Sequence, residues 1–340
     1  MAAKSRGAEG RPELYRLEEN CKQKVGQLLG TSSESIAFLG NASEGINRLC
    51  SSIDWRPGYD EVVIDDLEFP SNVLPWINLR NMGVEVKVLE SKDWFLSPED
   101  FSKAVNDRTR LLSVSHVSYS SGSRLDIGEL GKIAQSRGIV FCVDATQSLG
   151  RIPVPIQGID YLVASTYKWL LAPHGGGVVY CSPGLLGKLR TAAVGWWSVR
   201  DLFSEERFQT VDLKPNSARF ELGMPNFLTL YGLNHSATYL QKIGVAKIAD
   251  DLEPVCDFLV EELSRLPLSL MTPRPSGDRA GLISFEHPDC EAIARELAMD
   301  RVYVWGGDGR VRISIHLYND LGDAERLVAR LTSLLNKKAG

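Results

Sequence analysis

Long hydrophobic runs are missing from this sequence. Apolar stretches such as Ile36 to Leu39 and Val178 to Cys181 fall far short of the roughly 18 residues that a membrane-crossing helix requires. No membrane partner is expected. The opening residues, Met1 to Glu13, are small, polar and charged and have no apolar centre of the kind a secretory signal carries, which predicts a cytoplasmic protein. Six cysteines (Cys21, Cys50, Cys142, Cys181, Cys256, Cys290) are far apart, without a C-x-x-C pair or companion histidines. That spacing writes neither a zinc site nor a disulfide framework, so reduced thiols and no metal are expected. Blocks of like charge are also absent, and the formal net charge is −5. A nucleic acid or an anionic membrane surface is therefore not the expected partner.

What is present describes an ordinary globular chain. With 340 residues, of which 44% are hydrophobic and 24% charged, it is long enough for about two domain units and buries roughly 75% of its unfolded surface. No internal repeat or low-complexity tract interrupts it. Leu14 to Leu29 has apolar residues at helical spacing and stops at Gly30, a suitable residue just past a helix end. Short β-rich runs then recur at 36–39, 61–64, 85–89, 111–115, 139–143, 161–164 and 177–180. Helical patterns at 43–52, 71–82, 98–105 and 128–137 lie between several of them. Near-continuous apolar strands alternating with helices predict an α/β fold, a mostly parallel sheet covered on both faces. Residues 226–266 read as mainly helical, and a βα pattern restarts after 275. The expected division is a flexible leader, 1–11, a large domain, 12–235, and a smaller C-terminal α/β domain, 236–340.

In an open α/β sheet ligands bind beyond the carboxyl ends of the strands, so the residues just past each strand are the informative ones. Past the first come Ala42 and Ser43 at a helix start, where free backbone N–H groups and a hydroxyl favour a phosphate. A serine in that place is equally a helix cap. Asp144 ends an unbroken apolar strand, and a carboxylate brought to such a rim requires a cation; with Gln147 it also fits a capping box. Lys168 sits among Tyr167 and Trp169, where desolvation can free a nucleophilic amine, or where its stem can simply lie over the indole. The combination is more specific than its parts. A phosphate seat, a flat ring at Phe69, an acid seeking a cation and a lysine amine are what pyridoxal 5′-phosphate requires.

Seven stretches carry a resemblance. They are 41–47 (Asn-Ala-Ser-Glu-Gly-Ile-Asn), 68–72 (Glu-Phe-Pro-Ser-Asn), 115–122, 143–148 (Val-Asp-Ala-Thr-Gln-Ser), 165–169 (Ser-Thr-Tyr-Lys-Trp), 219–226 and 312–319. In this order they resemble the class V aminotransferase and cysteine desulfurase-like family of fold type I pyridoxal-phosphate enzymes, over about residues 14–334. The resemblance implies that Lys168 forms the Schiff base and moves protons, and that Asp144 holds the pyridinium nitrogen. It implies that Ala42, Ser43, Ser165 and Tyr167 bind phosphate, that Phe69 stacks on the ring, and that Gln147 and Tyr119 lie near the phenolic oxygen. Arg312 would grip a substrate carboxylate. It further implies a homodimer, with Met224 near the partner's phosphate in a place where a hydroxyl residue is common. His174, Trp196 and Trp197 are expected on the substrate side.

Departures from the family pattern bear on the reaction. A desulfurase of this family carries a nucleophilic cysteine before the carboxylate-binding arginine, but residues 305–310 read Trp-Gly-Gly-Asp-Gly-Arg, and Cys290 lies too early. Members also have a longer arm before the helix matching Leu14 to Leu29, so an open site or a shortened chain is expected here. Transamination of a small amino acid is the leading expectation, and a carbon–sulfur lyase or a desulfurase-like enzyme without a persulfide cysteine the alternative. Racemisation and a non-catalytic dimer follow.

Overall fold

The computed structural model describes residues 2–339. Seven strands form the larger sheet: β1 (Ile36–Leu39), β2 (Glu61–Asp65), β3 (Glu85–Leu89), β4 (Thr109–Ser115), β5 (Val140–Asp144), β6 (Tyr161–Ser165) and β7 (Gly177–Cys181), in the order β1-β7-β6-β5-β4-β2-β3. β3, β2, β4, β5 and β6 pair in parallel, while β7 runs antiparallel to both β6 and β1. Every residue of β1, β2, β6 and β7 is buried, which accounts for their largely apolar character; the polar exceptions, Glu61, Asp65 and Ser165, stand at strand ends. Alternate residues face opposite layers. Val62, Ile64 and Leu111 pack with Ile46 and Leu49 of the helix Ala42–Ser52, and Val63, Leu112 and Val114 pack with Phe101, Leu130 and Leu233 on the other face.

The helix expected over 71–82 is broken into a 3₁₀ turn (Pro70–Asn72), a short α-helix (Leu74–Asn78) and a second 3₁₀ turn (Leu79–Met82). Pro70 and Pro75 remove backbone donors and each restarts the helix, so the apolar spacing survives but continuity does not. Residues 2–10, read from sequence as a leader, form helical turns that lead into the helix Arg11–Leu29, whose first turn contains Pro12; Ala3 and Gly10 are buried there. That long helix is anchored by Lys22, which is buried between Glu18 (2.8 Å) and Glu221 (2.8 Å), while Glu221 also accepts from the Phe38 N–H of β1. A buried ammonium with two carboxylates fixes the helix against the sheet and the 217–226 segment.

A second sheet is antiparallel throughout: β8 (Ser269–Leu270), β9 (Leu282–Glu286), β10 (Trp305–Gly307) and β11 (Arg310–Ser314), in the order β10-β11-β9-β8. The helices Val245–Ser264, Cys290–Met299 and Leu321–Ala339 pack against it. The helix Phe227–Ile243 runs across the 235/236 division expected from sequence and ends at Gly244. The two sheets meet at Gly122, which has φ +75° and lies so close to β9 that an added Cβ would fall 2.0 Å from the Leu282 carbonyl oxygen. Only glycine permits that approach. It brings β11 up to the carboxyl ends of β4 and β5. No helix among the described residues is long and apolar enough to cross a membrane.

Candidate active site

β5 carries its buried apolar residues to the rim of the sheet and ends on Asp144, which is only 6% exposed. No helix follows it. The capping-box alternative therefore falls away: the Thr146 N–H donates to Asp144 Oδ1 at 2.8 Å within a turn, and Thr146 Oγ1 accepts from the Ser165 N–H at 3.0 Å. Burial raises the acid above the ordinary carboxylate range, while the Thr146 hydrogen bonds and the Lys168 charge pull it back. Such a site favours a further cation beside Asp144.

Ser43 is not the cap of its helix either. Asn41 is, accepting from the Glu44 N–H at 2.8 Å, and this leaves Ala42 and Ser43 in the first helical turn. The Ser43 hydroxyl lies 2.6 Å from that of Ser71. The helix is pressed onto β6 and β7 at Gly45, where a Cβ would stand 2.7 Å from Val163 Cγ1. The helix start is thus held at the rim with its dipole directed at the cleft, an arrangement suited to an anion.

Lys168 follows β6 in a turn closed by the Leu171 N–H donating to the Lys168 carbonyl at 3.1 Å. Burial, and then the charge of Arg312, hold its amine down to about 8, against a smaller opposite pull from Asp144. Its Nζ stands 5.9 Å from the centre of the Phe69 ring, which meets Tyr119 edge-on at 5.1 Å. Ala42, Ser43, Phe69, Tyr119 and Asp144 line one cleft of about 550 Å³, and Gln147, Ser165, Tyr167 and Lys168 complete it. A second cleft of about 940 Å³ shares Gln147, Tyr167 and Lys168 with the first and adds Trp169, Arg312, His316 and Tyr318. Lys168 thus stands where the two meet.

Arg312 is held by one hydrogen bond from Nη1 to the Tyr119 carbonyl (2.9 Å) and lies 4.9 Å from the Trp305 ring centre, with its Nε buried and unpartnered. His316, Trp169 and Tyr318 carry no role in the reading from sequence. The three rings form a stack beside Lys168: Trp169 to His316 at 4.8 Å and His316 to Tyr318 at 4.7 Å. The available signal was the position of His316, four residues beyond Arg312 on the same strand exit. His174 reaches the site indirectly, stacking on Tyr167 at 4.0 Å. Met224, Trp196 and Trp197 line neither cleft of their own chain. Trp197 lies against Tyr15 (5.2 Å) and Lys214 (4.6 Å), and Trp196 lies beside Gly223.

Behind the cleft, Glu68 is buried and accepts from the Ser115 N–H, the Ser115 hydroxyl (2.6 Å) and Asn72 Nδ2 (2.7 Å). Asp65, also buried, accepts from the Leu67 N–H at 2.9 Å. Burial pushes Asp65 up to about 7, with hydrogen bonds to the Leu67 N–H and Glu68 pulling it back, and lifts Glu68 well above its ordinary range, to which the charge of Asp65 adds.

Residues 3–327 match the family described as aminotransferase class-V. The chain belongs to that family. A probable cysteine desulfurase of Methanothermobacter thermautotrophicus is 32% identical over 326 residues, covering 88% of this chain and 79% of that protein. An uncharacterized aminotransferase of Bacillus subtilis is 27% identical and covers 90% and 81%. Among solved structures, the apo cysteine desulfurase of Thermococcus onnurineus NA1 is similar with a TM-score of 0.89 and 27% identity, over 96% of this chain and 86% of that one. As a class V member, the chain is an enzyme and its cofactor is pyridoxal 5′-phosphate. The donor set fits that group: a helix start with hydroxyls for phosphate, an aromatic face, a buried acid and a partly deprotonated lysine.

Proposed function

We propose that this class V enzyme is a carbon–sulfur lyase acting on a small sulfur-containing amino acid, with Lys168 as the cofactor-binding and proton-moving residue. The observation that carries this reading is the turn between β10 and β11. It is a tight hairpin, Asp308-Gly309, without a cysteine, and all six cysteines of the chain are buried and line neither cleft. A thiol that could receive sulfur is therefore missing from the site. The relatives named as cysteine desulfurases support sulfur chemistry over the transamination that sequence reasoning ranked first.

In this reading Ala42, Ser43, Ser165 and Tyr167 hold the phosphate, Phe69 covers the ring, and Gln147 and Tyr119 lie at the phenolic oxygen. Asp144 would hold the ring nitrogen protonated, its buried negative charge favouring the cationic form. Arg312 binds the substrate carboxylate with its free guanidinium edge. Pyridoxal 5′-phosphate, when bound, supplies an aldehyde for amine capture and a ring that withdraws electrons from Cα. Lys168 Nζ takes the Cα proton, and the Cβ–S bond breaks with its electron pair leaving on sulfur, which picks up a proton as a thiol. The remaining 2-aminoacrylate takes up one water and gives pyruvate and ammonium. No oxidant or reductant enters.

The homodimer rests on exposed apolar side chains in the segment 202–228: Phe203 and Phe208 are 80% and 85% exposed, and Leu228, at the start of the helix Phe227–Ile243, is 75% exposed. In that assembly Met224, on the Gly223 loop, and Trp196, packed beside Gly223, face the partner's site, with Trp197 behind them, and His174 acts through Tyr167. Buried, unpaired cysteines support a cytoplasmic setting.

Products decide the matter. The loaded enzyme is incubated with L-cysteine, L-cystine and S-alkylcysteines, and the carbon product is identified. Pyruvate and ammonium in equal amounts with a thiol or persulfide are expected. Alanine would make it a desulfurase, and a sulfur-retaining oxo acid that forms only with an added oxo-acid acceptor would make it an aminotransferase.

A further inference from the structure

Gln147 and Trp169 are both buried, at 6% and 3% exposure, and the indole Nε1 donates to Gln147 Oε1 at 3.0 Å. An indole N–H can only donate. Gln147 must therefore turn its oxygen toward Trp169, which leaves its NH₂ group as the part of the amide that faces the clefts it lines. The indole cannot swing away to release it. One face is stacked on His316, and Gly281 lies so close to the ring that a Cβ there would stand 3.1 Å from Trp169 Cη2. Nothing else among the hydrogen bonds of the described residues fixes which end of the Gln147 amide faces the cofactor.

We infer that Trp169 is a positioning residue that locks the Gln147 amide with its N–H groups directed at the phenolic oxygen of the cofactor. The inference rests on the cofactor placement proposed above. An acceptor oxygen in the same place would repel the phenolate, whereas a fixed donor stabilises it. The aromatic stack extends the same restraint to the strand exit of Arg312, because His316 follows β11 directly. The residue that would bind the substrate carboxylate and the one that orients the phenolic oxygen's donor are thus joined through the Trp169–His316 ring contact and the short stretch of chain from His316 back to Arg312.

The test is a spectroscopic titration of the loaded enzyme, independent of turnover. Trp169→Phe keeps a ring against His316 and removes the donor. The visible band of the lysine-bound cofactor should then titrate higher by about one pKa unit, a tenfold change, because a hydrogen bond to a charged oxygen is no longer secured. Gln147→Ala should give a rise of similar size, and Trp169→Phe added to Gln147→Ala should give no further rise. A merely structural tryptophan would shift the titration equally in both backgrounds, or in neither, and either result would overturn the inference. If Trp169→Phe does not fold, benzothienylalanine placed at 169 keeps the bicyclic shape without the N–H, and the same shift is expected. Failure of the underlying placement looks different: the unaltered protein would then form no visible band with the cofactor, or Lys168→Ala would keep it.

Discussion

Arg312 faces Lys168 across one cleft, and its charge adds to burial in holding the lysine amine down to about 8. A lowered amine pKa means that more of the side chain is uncharged near neutrality.

Removing the charge should reverse this. Arg312→Met is expected to slow capture of pyridoxal 5′-phosphate by the apo protein at pH 7 and to move the pH profile of capture upward. Stopped-flow absorbance from pH 6 to 10 reads both. The same variant should raise KM for the amino acid about 10- to 100-fold through loss of charge-assisted hydrogen bonds. An unchanged capture profile would remove Arg312 from any role in tuning the lysine.

Lys168→Ala should abolish the covalent visible band and lower kcat by at least about 10³-fold, the scale of a lost proton-transfer group. Asp144→Asn should keep the covalent link but lower kcat by a similar factor, since the ring nitrogen loses the charge that holds it protonated. Borohydride reduction followed by peptide mapping separates the two: label on residue 168 persists in the asparagine variant only.

Asp65 makes stability depend on pH. Its folded pKa is raised to about 7, so its share of stability is fully present below the unfolded value near 4 and is lost as pH climbs through 7. Asp65→Asn retains an acceptor for the Leu67 N–H and carries no charge. Relative to the unaltered protein it should gain on the order of 1–3 kcal/mol as pH rises from 5 to 8. Thermal melts at the two pH values check this, and parallel losses in both proteins would contradict it.

Gly45→Ala places a methyl 2.7 Å from Val163 Cγ1 and 3.0 Å from Val179 Cγ2. The cost should be about 1–3 kcal/mol, with weaker cofactor retention because the helix start is displaced. Val163→Ala in the same protein should restore much of both. Denaturant unfolding and equilibrium dialysis measure the two effects separately.

The strands of the larger sheet were legible because residues such as 62–64 and 161–164 are buried on both faces and so read as continuous apolar runs. Residues at their carboxyl ends could be named from that alone, and nine of them, from Ala42 to Lys168, line one cleft. Cap assignments were less legible. Ser43 and Asp144 both fit capping patterns, and only the turn that follows Asp144 and the position of Asn41 decide against them. The helix at 71–82 misled because periodicity records which side is apolar and says nothing of the breaks that Pro70 and Pro75 impose. His316 was missed for another reason: Trp169 becomes its neighbour only when the second sheet docks at Gly122, a contact between distant parts of the chain.

The reversed strand β7 has a consequence for how the protein is made. It is the wedge between β1, which delivers the phosphate-facing helix, and β6, which delivers the lysine. A nascent chain that has emerged only to residue 176 holds both halves of the pocket but lacks the piece that sets them side by side. Vitamin capture on the ribosome should therefore begin only after Cys181 has cleared the exit tunnel, making the coloured cofactor a built-in reporter of the moment the sheet closes.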